Sequence, residues 1–291
     1  MQIALKKSET ARRRYRLKCG GLELELGERT FIMGIVNVTP DSFSDGGVYL
    51  DADKAAERVL NIQEAGADIV DIGGESTRPG SMGVTAEEEI LRLEPVMKML
   101  RGKMRVPVSV DTSKSEVAEM ALRLGAAIIN DVTALRGDGR MADVVRRHDA
   151  CVVLMHMNGE PRTMQIAPAY EDVVEDVIKF FRERIDFAVD AGIKRDKIVI
   201  DPGIGFGKTL EDNLKIIKRL RDFEALSCPL LIGTSRKSFI GNILDKEPEG
   251  RLYGTVASCV RAVREGAHIL RVHDVREVKE AVLVEDRISG A

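Results

Sequence analysis

The chain has 291 residues, with 44 basic and 47 acidic side chains and a net charge of −3. That near-balance gives no whole-protein case for nucleic-acid or membrane-surface binding, and 44% apolar with 31% charged residues is an ordinary globular composition. Four histidines, four cysteines without a C-x-x-C spacing and no tryptophan exclude zinc ribbons, thioredoxin-like pairs and His-rich or Cys-rich metal clusters.

Taken in chain order, the first stretch carries Lys6, Lys7, Arg12, Arg13, Arg14, Arg16 and Lys18, with no apolar segment behind them before Gly20. The expectation is a solvated basic arm of a cytoplasmic protein rather than a secretory signal. No apolar run approaches the ~18 residues of a membrane span. Residues 15–26 then alternate about Gly20-Gly21, which predicts a β-hairpin, placed as a cover over one end of the main body. Short apolar runs at 31–36, 69–72, 106–110, 127–130, 151–155, 198–200, 230–233 and 269–272 read as buried parallel strands. Between them lie helical patterns: Ala55/Val59/Ile62, Val117/Met120/Leu124, Val173/Val177/Phe180/Ile185 and Leu214/Ile217/Leu220.

A helix–Gly–strand junction recurs at Gly66, Gly125, Gly192 and Gly266, each Gly standing where a helix ends left-handed before an apolar run. Length alone allows two domains at roughly 150 residues each. Strand–helix units repeated through about 250 residues instead predict one (β/α)8 TIM barrel, residues 30–291, preceded by a basic extension with its hairpin, residues 1–29. An open doubly wound sheet is the rival arrangement. Cys151 and Cys259 sit in apolar surroundings and read as small buried hydrophobes.

Polar residues follow each strand: Asn37, Asp71 with Glu75 just beyond, Asp111, Asn130-Asp131, His156, Asp201, Ser235-Arg236-Lys237, and Arg271 with His273. One such residue would read as a helix N-cap. Their recurrence at every strand end points to an active site, because a barrel builds its site at that face. Asp111, Asn130 and Asp201 suit a flat ring bearing N–H groups. Lys237, Arg271, His273 and the Thr77-Arg78 pair suit a phosphate. A nitrogen-rich heterocycle joined to an anion is therefore the expected ligand. The segments 39–47 and 75–81 mix Gly and Pro with charged groups, as covers of active sites do. The run Gly203-Ile204-Gly205-Phe206-Gly207-Lys208 is not a Walker A loop, since Pro202 stands where the first Gly is needed. Its glycines are expected to let backbone approach a ligand.

Read together, Asn37-Val38-Thr39-Pro40-Asp41-Ser42-Phe43-Ser44-Asp45, Gly73-Gly74-Glu75-Ser76-Thr77-Arg78-Pro79-Gly80, Ser109-Val110-Asp111-Thr112, Asn130-Asp131-Val132 and Met155-His156-Met157 resemble the dihydropteroate synthase family. Asp201-Pro202-Gly203, Ser235-Arg236-Lys237-Ser238-Phe239 and Arg271-Val272-His273-Asp274-Val275 complete the likeness, which spans about residues 30–275. One departure is Asn158, where many family members carry Gln; it lies outside the binding motifs.

The resemblance implies condensation of 6-hydroxymethyl-7,8-dihydropterin diphosphate with 4-aminobenzoate to 7,8-dihydropteroate and pyrophosphate. It implies that Asp111, Asn130, Asp201 and Lys237 hold the pterin and that Thr77, Arg271 and His273 contact the diphosphate, with Lys237, Arg271, His273 and Asp111 serving catalysis. Asn37 is the implied Mg²⁺ contact. Phe43, Arg78, Pro79, Phe206 and Ser238 would shape the aminobenzoate pocket. A homodimer and inhibition by sulfonamides are further implications. The alternative is a related pterin-binding barrel that passes a methyl group to a corrinoid protein. That chemistry does not need the 41–47 and 77–80 segments or the Arg271/His273 end. A non-catalytic pterin-binding scaffold would be expected to have lost Lys237, Asp111 or Thr77-Arg78.

Overall fold

The computed structural model describes residues 12–19, 21–38, 48–76, 83–159, 164 and 168–290. Two strands open the described chain, β1 (Tyr15–Cys19) and β2 (Leu22–Leu26), paired antiparallel with Tyr15 opposite Leu26. Then come β3 (Phe31–Asn37), α1 (Val48–Glu64), β4 (Ile69–Gly73), α2 (Ala86–Leu100), β5 (Val108–Asp111), α3 (Ser115–Arg123), β6 (Ile128–Asp131), α4 (Met141–Arg147) and β7 (Cys151–Met155). The second half supplies α5 (Val173–Asp190), β8 (Ile198–Asp201), α6 (Leu210–Lys218), β9 (Leu231–Ile232), α7 (Ser238–Leu244), α8 (Leu252–Arg264), β10 (Ile269–Val272) and α9 (Val275–Ser289).

The parallel strands form one eight-stranded sheet in the order β8-β7-β6-β5-β4-β3-β10-β9. A bridge between Ile200 and Leu230, with Ile200 N–H donating to Pro229 O at 3.0 Å, closes it into a barrel. The expected (β/α)8 architecture is therefore the observed one. Helices end as the glycine rhythm requires: Gly66, Gly125, Gly192 and Gly266 have φ of 99°, 103°, 89° and 100°, conformations that only glycine adopts without strain.

Alternation along each strand divides the core into two regions. Ile32, Val36, Val70, Ile72, Val110, Ile129, Val152, Leu154, Ile200 and Leu270 point outward and pack against the helices. Phe31, Met33, Ile69, Ile128, Val153, Val199, Leu231 and Ile269 fill the interior at the strands' N-terminal end. The hairpin caps that end, adding Leu17, Leu24 and Leu26 to the inner cluster. Each such burial stabilises by roughly 1.5–3 kcal/mol. Lys18 O fixes the cover by accepting from Lys197 Nζ at 2.8 Å and Cys151 Sγ at 3.0 Å. Cys151 and Cys259 are both buried, as their apolar surroundings predict.

Some sequence expectations need correction. The strand expected from Val106 starts at Val108, because Pro107 has no N–H for the ladder and contributes only its carbonyl, which accepts from Val70 N–H at 3.1 Å. The strand expected over 230–233 is only Leu231–Ile232, since Leu230 next to Pro229 makes an isolated bridge. Leu214, expected on the buried face of its helix, is 42% exposed, and α6 instead buries Asn213, Ile216 and Ile217.

Candidate active site

The interior that is apolar at one end turns polar at the other. Ile35, Asp111, Asn130, Val132, Met155, Asp201, Phe206, Gly233, Ser235, Lys237, Arg271 and His273 line a cavity at the strands' C-terminal mouth. Parity explains the switch: Asp71 lies two residues beyond inward-facing Ile69, Asn130 beyond Ile128, Asp201 beyond Val199 and Arg271 beyond Ile269.

Arg271 organises one wall. Its Nε donates to Asp71 Oδ2 at 2.6 Å and its Nη2 to Asp111 Oδ2 at 2.7 Å. Asn130 Nδ2 also donates to Asp71 Oδ2, at 3.0 Å. Burial opposes the charge on Arg271, but the two carboxylates outweigh it and hold the guanidinium firmly protonated. Burial pushes the Asp111 carboxyl up to about 7, against the pull of Arg271 and with Asp71 nearby adding to the rise. Asp71 is visible in the sequence as a strand-end residue but stands outside the ligand-facing set expected there. Its inward parity with Ile69 is the signal that places it.

Asp201, at the end of β8, and Lys237, after β9, line the same cavity. Burial raises the Asp201 pKa, moderated by Lys237 and by the Gly203 N–H, which donates to Asp201 Oδ1 at 2.8 Å. Lys237 is brought down to about 8 by burial, with Asp201 opposing the fall. Its Nζ donates to Ile204 O and stands 4.7 Å from the centre of the Phe206 ring. What the glycine run comes close to here is the protein's own chain, not a ligand: a Cβ on Gly203 (φ +68°) would lie 2.0 Å from His156 O. Lys208 anchors the same run from behind, its Nζ 2.9 Å from His156 Nδ1 and 3.0 Å from Phe206 O. Burial lowers Lys208 to about 7 and His156 to about 2. His156 is thus occupied by Lys208 and is absent from the cavity lining.

At the anion end, Ser235 Oγ is 3.0 Å from His273 Nδ1 and accepts from His273 N–H at 3.2 Å, which fixes the imidazole beside Arg271. Asn37 ends β3 next to Gly73, whose missing side chain leaves room between the Asn37 amide and Asp111. Asn37 stands outside the cavity lining proper. Ser238 also stands outside it, exposed at the first turn of α7. Phe43, Thr77, Arg78 and Pro79 lie outside the described residues. Lys237, Arg271, His273, Asp111, Asn130, Asp201 and Phe206 are brought together as a set.

The barrel's mouth thus combines buried carboxylates and an amide with cationic side chains in one cavity, the set expected for a flat N–H-bearing ring joined to an anion, as in an enzyme that acts on such a ligand. Residues 33–273 match the family described as pterin binding enzyme. The chain is 47% identical over 267 residues to the dihydropteroate synthase of Escherichia coli strain K12, covering 91% of this chain and 93% of that one. It is 42% identical over 273 residues to that of Synechocystis sp. strain PCC 6803, 94% of each chain. The Yersinia pestis dihydropteroate synthase, solved with a sulfonamide drug, superposes with a TM-score of 0.90 at 42% identity, covering 95% of this chain and all 100% of that one. The Xanthomonas albilineans dihydropteroate synthase, solved with 7,8-dihydropteroate, gives 0.85 at 43% identity over 95% of this chain and 99% of that one. The chain belongs to the dihydropteroate synthase family of pterin-binding enzymes.

Proposed function

We propose that the protein joins 6-hydroxymethyl-7,8-dihydropterin diphosphate to 4-aminobenzoate, forming 7,8-dihydropteroate for folate biosynthesis and releasing pyrophosphate. The observation that carries this reading is a single shared cavity: Asp111, Asn130, Asp201 and Lys237 open onto it together with Arg271 and His273. Solved relatives from Xanthomonas albilineans carry 4-aminobenzoic acid in one case and 7,8-dihydropteroate in another.

In this reading Asp201 and Asn130 accept and donate to the edge of the pterin, with Asp111 and Lys237 completing its frame. The C–O bond between the pterin CH₂ and the diphosphate breaks first, because the ring delocalises the developing cation. Arg271 and His273 hold the charge that accumulates on the departing diphosphate, and buried Asp111 and Asp201 favour a cationic ring. The arylamine nitrogen then forms the new C–N bond and gives up its proton to the released pyrophosphate or to water. An arylamine is already a competent nucleophile near neutral pH, so no buried base is required. Thr77 would join the diphosphate contacts, while Phe43, Arg78, Pro79, Phe206 and Ser238 would frame the aminobenzoate.

Mg²⁺ fits the Asn37 position. Among the described residues no three His, Cys, Asp or Glu side chains gather to cage a cation, and Mg²⁺ typically takes few protein oxygens while keeping water and substrate phosphates. The Asn37 amide oxygen, beside the gap that Gly73 leaves open, would be the protein's contribution. When bound, the ion would neutralise diphosphate charge.

A cytoplasmic homodimer completes the proposal. Ile243 and Leu244 on α7, Tyr253 on α8, and Leu283, Val284 and Ile288 on α9 are all exposed, and these helices pack side by side. No helix among the described residues is long and apolar enough to cross a membrane.

The test is pyrophosphate release from purified protein given the pterin diphosphate, 4-aminobenzoate and Mg²⁺. Release should require the arylamine, be inhibited by a sulfonamide and cease with EDTA. Folded protein that releases no pyrophosphate in response to aminobenzoate would sink the proposal.

A further inference from the structure

The β4–α2 connection begins and ends on one carboxylate. Glu75 Oε1 accepts from the Val84 N–H at 3.2 Å, so a single side chain joins residues on either side of the 77–82 segment. Its other oxygen, Oε2, accepts from Lys114 Nζ at 2.5 Å. Lys114 also donates to Glu89 Oε2 at 2.7 Å, and the Glu89 side chain is 0% exposed, on the inner face of α2. Gly74 makes room for this arrangement, since a Cβ there would lie 2.9 Å from Glu89 Cγ. Arg92 holds the Gly74 carbonyl at 2.7 Å.

None of these side chains lines the substrate cavity. Lys114 nevertheless sits three residues after Asp111, at the entry to α3. It therefore ties the strand end that carries Asp111 to both stems of the connection that carries Thr77, Arg78 and Pro79. Two carboxylates on one ammonium are more than a helix cap needs, and the Lys114 side chain makes no cap bond to α3. Burial opposes its charge, but the bonds to Glu75 and Glu89 more than offset this. An isolated surface ion pair adds little to stability. A pair anchored on a fully buried carboxylate has a fixed geometry, and a fixed geometry is what a positioning element needs.

We propose that Lys114, held by Glu89 and gripping Glu75, is a positioning residue for 4-aminobenzoate: it sets the two stems of the β4–α2 connection relative to the pterin-bearing end of β5. The proposal rests on the synthase reading above. Lys114→Met should raise KM for 4-aminobenzoate at least tenfold. The Kd for the pterin diphosphate, measured by calorimetry without arylamine, should change less than twofold. Lys114→Arg, which can still bridge two carboxylates, should restore KM to within about threefold. If Lys114→Met does not fold, Glu75→Gln carries the same expectation, since its amide keeps the acceptor for Val84 but loses the charge that grips Lys114. An unchanged aminobenzoate KM, an equal rise in pterin Kd, or failure of the arginine variant to rescue would overturn the inference. Wild-type protein without arylamine-dependent turnover would instead overturn the reading on which it rests.

Discussion

Replacing Arg271 by Met removes the guanidinium that bonds both Asp71 and Asp111, at 2.6 and 2.7 Å. Both carboxylates are buried, at 0% and 8% exposure, and breaking a buried pair by deleting one partner costs about 3–5 kcal/mol. For a chain of this size that corresponds to a fall in Tm of roughly 10 °C. The loss should depend on pH with a definite sign. Asp111 already sits up at about 7 in the intact protein, and Arg271 is what restrains it. A carboxyl whose folded pKa is raised favours the folded state fully below the unfolded value near 4, and that contribution is lost as pH rises through the folded pKa. Without Arg271 the folded pKa climbs further, so the variant keeps losing stability where the wild type has levelled off. Between pH 6 and pH 8 the gap between variant and wild type should widen by roughly 1 kcal/mol, about one pKa unit of linkage. Urea unfolding of the ligand-free proteins at both pH values reads this directly. An unchanged midpoint at pH 8, or a deficit no larger at pH 8 than at pH 6, would refute the argument that one guanidinium neutralises two buried carboxylates.

Asp201→Asn should weaken pterin binding by roughly 30-fold, the scale of one charge-assisted hydrogen bond, while Arg78→Ala should act mainly on the KM for aminobenzoate. Calorimetry and steady-state kinetics on both variants test this, and equal losses of both affinities in both would refute the division. Gly203→Ala should destabilise by at least ~2 kcal/mol, combining a left-handed penalty with a Cβ placed 2.0 Å from His156 O. It should also weaken pterin binding, because Gly203 N–H holds Asp201. Gly21→Ala is the control: φ is +89° there, but nothing lies within 4 Å of the added atom, so thermal melts that fall equally for both would show that the clash is irrelevant.

Much of the barrel is legible because each strand is a short apolar run that ends where polarity begins. The strands at Cys151–Met155 and Ile269–Val272 have the bounds their apolar runs predict for that reason. Strands β5, β6 and β8 run one residue further than expected, through Asp111, Asp131 and Asp201. The polar residue that reads as the sign of a strand's end is its last rung. What the pattern does not give is pairing. Leu230 looks like its neighbours in sequence, and only the proline before it and the geometry of closure leave it with a single bridge. The Asp71–Arg271–Asp111 contact joins residues 160 to 200 positions apart, so no local signal announces it. The Glu75–Lys114–Glu89 linkage is invisible for the same reason: each member, taken singly, reads as a solvated charge.

Strand β9, only two residues long, gives the barrel a seam. Seven of its neighbour-to-neighbour joints are ladders, whereas β8 meets the β9 edge through the lone Ile200–Leu230 bridge. Asp201 stands on one side of that joint, and Ser235 and Lys237 on the other. A substrate gripped by Asp201 and Lys237 together would act as a rivet across the weakest stave. Occupancy would then tighten the cylinder itself, and amides near Ile200 and Leu231 should be the strand positions whose hydrogen exchange slows most when the pterin arrives.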